Sequence, residues 1–173
     1  MAQRLIPGDA APALTFETVG HGSYDLFKDA PGLGTYLFFH RGRHCKWTRF
    51  ALKELDDRIG DFAIRDIRVV AISADSAEDT ALLQEEMQLI RLPLGHSVDA
   101  QKIAADWGLY LTRNSTEPGA PALHFEPAQA WVVSDDTLGA ISVQSIPNMW
   151  PDITQTLRGI ENTARKFPER GKG

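Results

Sequence analysis

Two short apolar runs, Thr35–Phe39 (TYLFF) and Ile67–Ile72 (IRVVAI), constrain the fold of this chain more than any other feature. Runs with so little polar alternation suit strands covered on both faces, as in a parallel sheet, rather than half-exposed hairpins. Between them Leu52, Leu55, Ile59 and Phe62 recur at steps of three and four, which predicts a single helix with one apolar stripe running to Phe62. A right-handed strand–helix–strand crossover then sets the two runs parallel.

The rest of the chain fills in around this unit. Ala13–Leu26 (ALTFETVGHGSYDL) reads as a β-hairpin turning at Gly20-His21-Gly22. Ser76 with Asp79 three residues on resembles a capping box, opening a helix whose inner face is Leu83, Met87 and Ile90. Leu92–Gly95 reads as a short extended piece, and Asp99 as the cap of a helix presenting Ile103 and Trp107. Leu111–Pro127, rich in proline and polar residues, reads as one long loop, a length that is uncommon unless the loop serves a site. Ala130–Val133 and Ile141–Ile146 flank a polar turn, Ser134–Gly139, as an antiparallel hairpin. Ile153, Leu157, Ile160, Ala164 and Phe167 mark a C-terminal helix, and residues 168–173 a frayed tail. The order predicts an α/β chain: one domain over residues 1–173, with a central mixed sheet, helices on both faces and an N-terminal hairpin.

Charge and composition narrow the function. A net charge of −5 is a poor basis for holding nucleic acid, which needs a positive surface to displace counterions. No apolar run approaches the length that spans a bilayer, and the stretch from Met1 to Gly8 lacks the apolar core of a secretory signal, so a cytoplasmic protein without a membrane partner is expected. The single cysteine, Cys45, excludes an intramolecular disulfide and a multi-cysteine zinc site.

Cys45 lies in RGRHCKWTR, with Arg41, Arg43, His44, Lys46 and Arg49 crowded around it. In open α/β sheets ligands sit at the carboxyl ends of strands, where helices begin, and Cys45 falls between the strand ending at Phe39 and the helix that follows. A helix N-terminus and neighbouring cations both favour a thiolate, the reactive form of cysteine, so a depressed thiol pKa is expected here. The bland alternatives are a small buried apolar cysteine and a solvated basic surface. His40 and His44 beside Cys45 lack a clear carboxylate partner, and His21, His96 and His124 are scattered, so neither a metal nor another cofactor is expected. Trp47 is a candidate contact for a partner beside the thiol.

The stretch LFFHRGRHCKWTRFALKELDDR resembles the active-site strand, loop and helix of thioredoxin-like proteins in the alkyl hydroperoxide reductase/thiol-specific antioxidant (peroxiredoxin-like) family. VVAISADSAEDT is similar to that family's second strand and turn, and AWVVSDDTLG with ISVQSIP to its later hairpin; the likeness extends over roughly residues 5–165. The resemblance implies a thioredoxin-like fold and a thiol-dependent oxidoreductase with antioxidant or peroxidase-like activity. Two registers of its motif remain open. Read as CxxC, the site keeps the attacking Cys45 and carries Thr48 in place of the second cysteine. Read as PxxxTxxC, Arg41 stands at the proline, Cys45 at the threonine and Thr48 at the peroxidatic cysteine.

On the first register Thr48 is expected to support the thiolate from one turn away, and Arg41, Arg43 and His44 to stabilise it or hold an anionic substrate. Lacking a resolving cysteine, such a site needs an external thiol reductant, glutathione- or thioredoxin-like, and acts on a small peroxide or disulfide. Pro127 matches the proline that faces the active cysteine in thioredoxin folds, there in the cis form; an ordinary trans proline is the alternative. A homodimer is compatible with the sequence. The competing expectation is a redox-inactive thioredoxin fold that binds a protein or a small anion.

Overall fold

The computed structural model describes residues 4–173; the first three residues of the N-terminal segment weighed above for a secretory signal lie outside them. The apolar runs form β3 (Thr35–Phe39) and β4 (Arg68–Ile72), paired in parallel with Leu37 opposite Val70. β1 (Thr15–Thr18) and β2 (Gly22–Asp25) make the expected N-terminal hairpin, and β5 (Leu94–His96), parallel to β4 and antiparallel to β1, joins that hairpin to the sheet. Later in the chain come a short pair, β6 (Leu111–Arg113) and β7 (Leu123–Phe125), and then β8 (Ala128–Val132) and β9 (Leu138–Val143). The main sheet runs β2-β1-β5-β4-β3-β8-β9.

Because side chains alternate along a strand, β3 divides its bulk between two cores. Leu37 and Phe39 pack on one face with Trp107 and Ile103 of α4 (Ala100–Trp107). Tyr36 and Phe38 pack on the other with Leu52 and Leu55 of α1 (Lys46–Asp57), Phe62 of α2 (Ile59–Ala63), Leu83 of α3 (Ala77–Met87) and Leu157 of α5 (Ile153–Arg165). Helices therefore cover both faces of a mixed sheet, as the element order predicts.

Five local expectations need correction. The helix expected through Phe62 breaks at Arg58 (φ −106°, ψ 10°) into α1 and α2, which swings fully buried Phe62 under the sheet. Ile90 is 78% exposed, because α3 ends at Gln88 in the left-handed conformation and Leu89, not Ile90, turns inward. The expected loop Leu111–Pro127 contains the β6–β7 ribbon, whose Phe125 sits edge-on to Phe39 in the core. The polar turn after β8 is shorter than expected, since β9 begins at Leu138 and the Trp131 ring occupies the space a side chain at Gly139 would need. Residues 168–173 are exposed and wound in turns, with Gly171 against Pro7, and Phe167 lies outside α5 beneath the Arg170 guanidinium.

Asp56 ties α1 to the chain entering β5. Its carboxylate, 2% exposed, accepts from the backbone N–H groups of Arg91 and Leu92, both at 2.8 Å. Asp56→Ala orphans both amides, so urea unfolding should show a loss of about 2–3 kcal/mol; a loss below about 0.5 kcal/mol contradicts this role.

Candidate functional site

β3 delivers the chain to the site through His40, whose N–H continues the sheet by donating to Ile72 O (3.0 Å). Gly42 follows at φ +107°, where a Cβ would stand 2.4 Å from the Asp75 carboxylate. That close approach lets Asp75 accept from Arg43 N (2.7 Å) and folds the backbone back, so that Cys45 becomes the N-cap of α1. The Gly42 N–H donates to His40 Nδ1 (3.2 Å), which assigns the ring its Nε2–H tautomer. Burial, and then the neighbouring His44, push the His40 pKa down to about 3.

Cys45 is 4% exposed. Its sulfur does not cap the helix amides, although the sequence places it at the helix start; it accepts instead from Arg41 Nη1 at 3.3 Å. Arg41 is itself 5% exposed and is held from two sides. Nε stands 3.1 Å from Glu126 Oε2, and the two terminal nitrogens grip both oxygens of Glu117, with Nη1 to Oε1 at 3.1 Å. Burial opposes the charge on Arg41, and its hydrogen bonds to Glu117 and Cys45 with the Glu126 charge outweigh it, so its pKa rises. Glu126 is fixed in turn by the Thr112 hydroxyl, which donates at 2.6 Å across the β6–β7 ribbon.

Arg41 apart, the cations expected to crowd the thiol face other partners. Arg43 is taken by Glu86 (2.5 Å) and Asp79 (3.4 Å), both on α3, and Arg49 also pairs with Glu86 (2.6 Å). Lys46 lies over the Trp47 ring at 5.0 Å. Half-buried Trp47 and exposed Phe50 (ring centroids 6.4 Å apart) form an apolar edge on α1. Thr48 is 2% exposed in the first turn of α1, and the sulfur's hydrogen-bond partner is Arg41, not the Thr48 hydroxyl. Pro127 is buried with a trans peptide bond, its carbonyl accepting from Gln144 N at 2.9 Å.

His44 turns away from the expected role beside the sulfur. Its ring, with 2% side-chain exposure, meets His124 edge-on at 4.7 Å between centroids, and its Nε2 is 3.7 Å from Glu117 Oε2. Burial, followed by the charges of His124 and Arg41, pushes the His44 pKa down to about 4; burial followed by Arg41 lowers that of His124. Glu117, Glu126, Thr112 and His124 all belong to the segment read from sequence as a loop. The only signal they left there was its length.

The profile of the AhpC/TSA family matches residues 7–137. The chain belongs to this family. A Mycobacterium tuberculosis protein named provisionally as a peroxiredoxin is 30% identical over 107 residues, 62% of this chain and 66% of the relative's own length, which is just under two thirds. Among solved structures, a cysteine-to-serine mutant of peroxiredoxin 6 from Arenicola marina superposes with a TM-score of 0.79 at 16% identity, over 94% of this chain and 76% of that one. Peroxidoxin BcpB from Mycobacterium tuberculosis gives 0.70 at 16% identity, over 91% and 97%. At these identities the two structures establish the fold: this is a peroxiredoxin-like protein with the thioredoxin fold. No helix among the described residues is long and apolar enough to cross a membrane.

Neutral, buried His40 makes stability pH-dependent. Unfolded, it binds a proton near pH 6.5; folded, it resists protonation to about pH 3, so the unfolded state takes up more protons as pH falls through that window. Its contribution is complete above pH 6.5 and declines on acidification by up to about 1.4 kcal/mol per pH unit. Urea midpoints measured from pH 7 to pH 5 should fall, and His40→Gln should flatten that fall; equal slopes for both proteins contradict the assignment.

Proposed function

We propose that the protein is a monothiol oxidoreductase that reduces a small peroxide through Cys45 and is recycled by an external thiol. The observation that carries this reading is the buried Arg41 guanidinium donating to the Cys45 sulfur at 3.3 Å while two carboxylates hold it in place. A fixed cation beside sulfur favours the thiolate. The same guanidinium has one further N–H, on Nη2, with which to polarise a peroxide and stabilise charge on the departing oxygen.

The thiolate attacks one peroxide oxygen and the O–O bond breaks. The sulfur becomes a sulfenic acid, and the alkoxide or hydroxide leaves and takes up a proton as alcohol or water. One external thiol then displaces water from the sulfenic acid to give a mixed disulfide. A second thiol releases Cys45 and departs as the external disulfide. With one cysteine in the chain, no internal thiol can resolve the oxidised sulfur. A residue 4% exposed favours a small peroxide over a bulky disulfide as the first oxidant.

A second reading, a redox-inactive fold that binds a small anion or a protein, draws support from buried Thr48, which takes the peroxidatic position in the PxxxTxxC register. Peroxide consumption with glutathione or thioredoxin as reductant separates the two. Turnover should be lost in Cys45→Ser and persist in Thr48→Ala. Arg41→Lys, which keeps the charge but not the fork, should react at least about tenfold more slowly. No turnover in the unmodified protein, or turnover that survives Cys45→Ser, overturns the monothiol reading.

A further inference from the structure

β7, the loop before it and the turn before α1 bring together three groups, of which the thiol chemistry above uses only Glu117, to hold Arg41. The donor atoms of His44, Glu117 and His124 all lie within 4.8 Å of one another. The two imidazoles come from positions 80 residues apart, and each side chain is almost fully buried, at 2% and 1% exposure. Neither ring has a hydrogen-bond partner on either nitrogen, which leaves four unpartnered buried nitrogens side by side. A buried imidazole without a partner loses its hydration for nothing, and two of them edge-to-edge double the cost. A metal ion is the ligand that satisfies both at once, since neutral imidazole is its commonest protein donor.

We propose that His44, His124 and Glu117 form a binding site for a divalent transition-metal ion of the zinc type. Two nitrogens and one carboxylate oxygen make the three-ligand set of an open tetrahedral zinc site, with the fourth position left for water or an anion. Donors in such a site stand roughly 3.3 Å apart, so the trio is a small closure away from ligation. The local charge suits a cation: two carboxylates, Glu117 and Glu126, face a single guanidinium, Arg41. Both Glu117 oxygens already accept from Arg41, Oε1 from Nη1 and Oε2 from Nη2; Oε2 is also the oxygen nearer His44, at 3.7 Å, so ligation shares that oxygen between the guanidinium and the metal. Ser115 Oγ, 3.2 Å from Oε2 and 3.1 Å from Glu117 N, orients that carboxylate, as outer partners orient metal ligands. Glu126 stands 3.8 Å from His124 Nε2 and can play the same part there. Of the three groups His44 borders a polar cavity of about 310 Å³, lined also by Arg43, Arg49, Asp75, Asp79, Gly119 and Pro121, and Glu117 is itself 46% exposed.

This set differs from the one that the sequence brings to mind. His40 and Cys45 are both committed elsewhere, His40 to the Gly42 amide and Cys45 to Arg41. The carboxylate missing from that stretch arrives from 73 residues beyond His44, on the loop between β6 and β7.

Calorimetric titration of the reduced full-length chain with zinc chloride tests the site, with cobalt(II) as a spectroscopic probe of the ligands. One ion should bind per chain. His124→Gln should weaken binding by about 100-fold or more, and Glu117→Gln, which keeps one oxygen to accept from Arg41, by about tenfold. Cys45→Ser should bind as the unmodified protein does, and the cobalt spectrum should lack a thiolate charge-transfer band. Three results overturn the proposal: no stoichiometric binding, affinity unchanged in both His124→Gln and Glu117→Gln, or binding that depends on Cys45 or on the exposed His21. Peroxide turnover is assayed separately in chelator, so failure of the monothiol reading leaves the zinc result standing, and the converse holds.

Discussion

The buried charge of Arg41 is the constraint around which the functional end of this molecule is arranged. A guanidinium 5% exposed at the end of β3 costs several kcal/mol unless it is paired and hydrogen-bonded. Three groups from separate parts of the chain do this: Glu126 beyond β7, Glu117 from the β6–β7 loop, and the Cys45 sulfur at the start of α1. Each is positioned by a feature with no other evident purpose. The ribbon aims Glu126 through Thr112, the Ser115 hydroxyl seats Glu117, and the left-handed Gly42 turns the backbone so that Cys45 faces Arg41 instead of its own helix amides.

How legible this was in the sequence depended on the range of the interaction. β3 and β4 were readable because a run of four apolar residues in each has few ways to be buried, and α4 because Asp99 caps it and Trp107 anchors it. β6 and β7 have three residues each, with one fully buried apolar side chain, Phe125, between them, so neither composition nor period distinguished them from loop. The outward turn of Ile90 follows from one left-handed residue, Gln88, a backbone choice that periodicity does not encode.

The site divides in the same way. The place of Cys45, between a buried strand and a helix, was legible because both elements are local. Its electrostatics were not. A tally of neighbouring cations counts Arg43 and Arg49 for the thiol, whereas the fold gives both to Glu86 on α3. The acids that do matter stand 76 and 85 positions from Arg41. His124 shares their segment and meets His44 only through the tertiary fold.

A peroxiredoxin-like fold with one cysteine and a threonine one turn on retains the means to attack a peroxide and lacks the means to resolve itself. The decisive measurement is the second-order rate of sulfenic acid formation at Cys45, trapped with dimedone and followed by mass, in the unmodified chain and in Arg41→Lys. The account predicts a dimedone adduct confined to Cys45, forming at least about tenfold faster in the unmodified chain. Equal rates in the two proteins, or no adduct at Cys45 while peroxide is consumed, would contradict it.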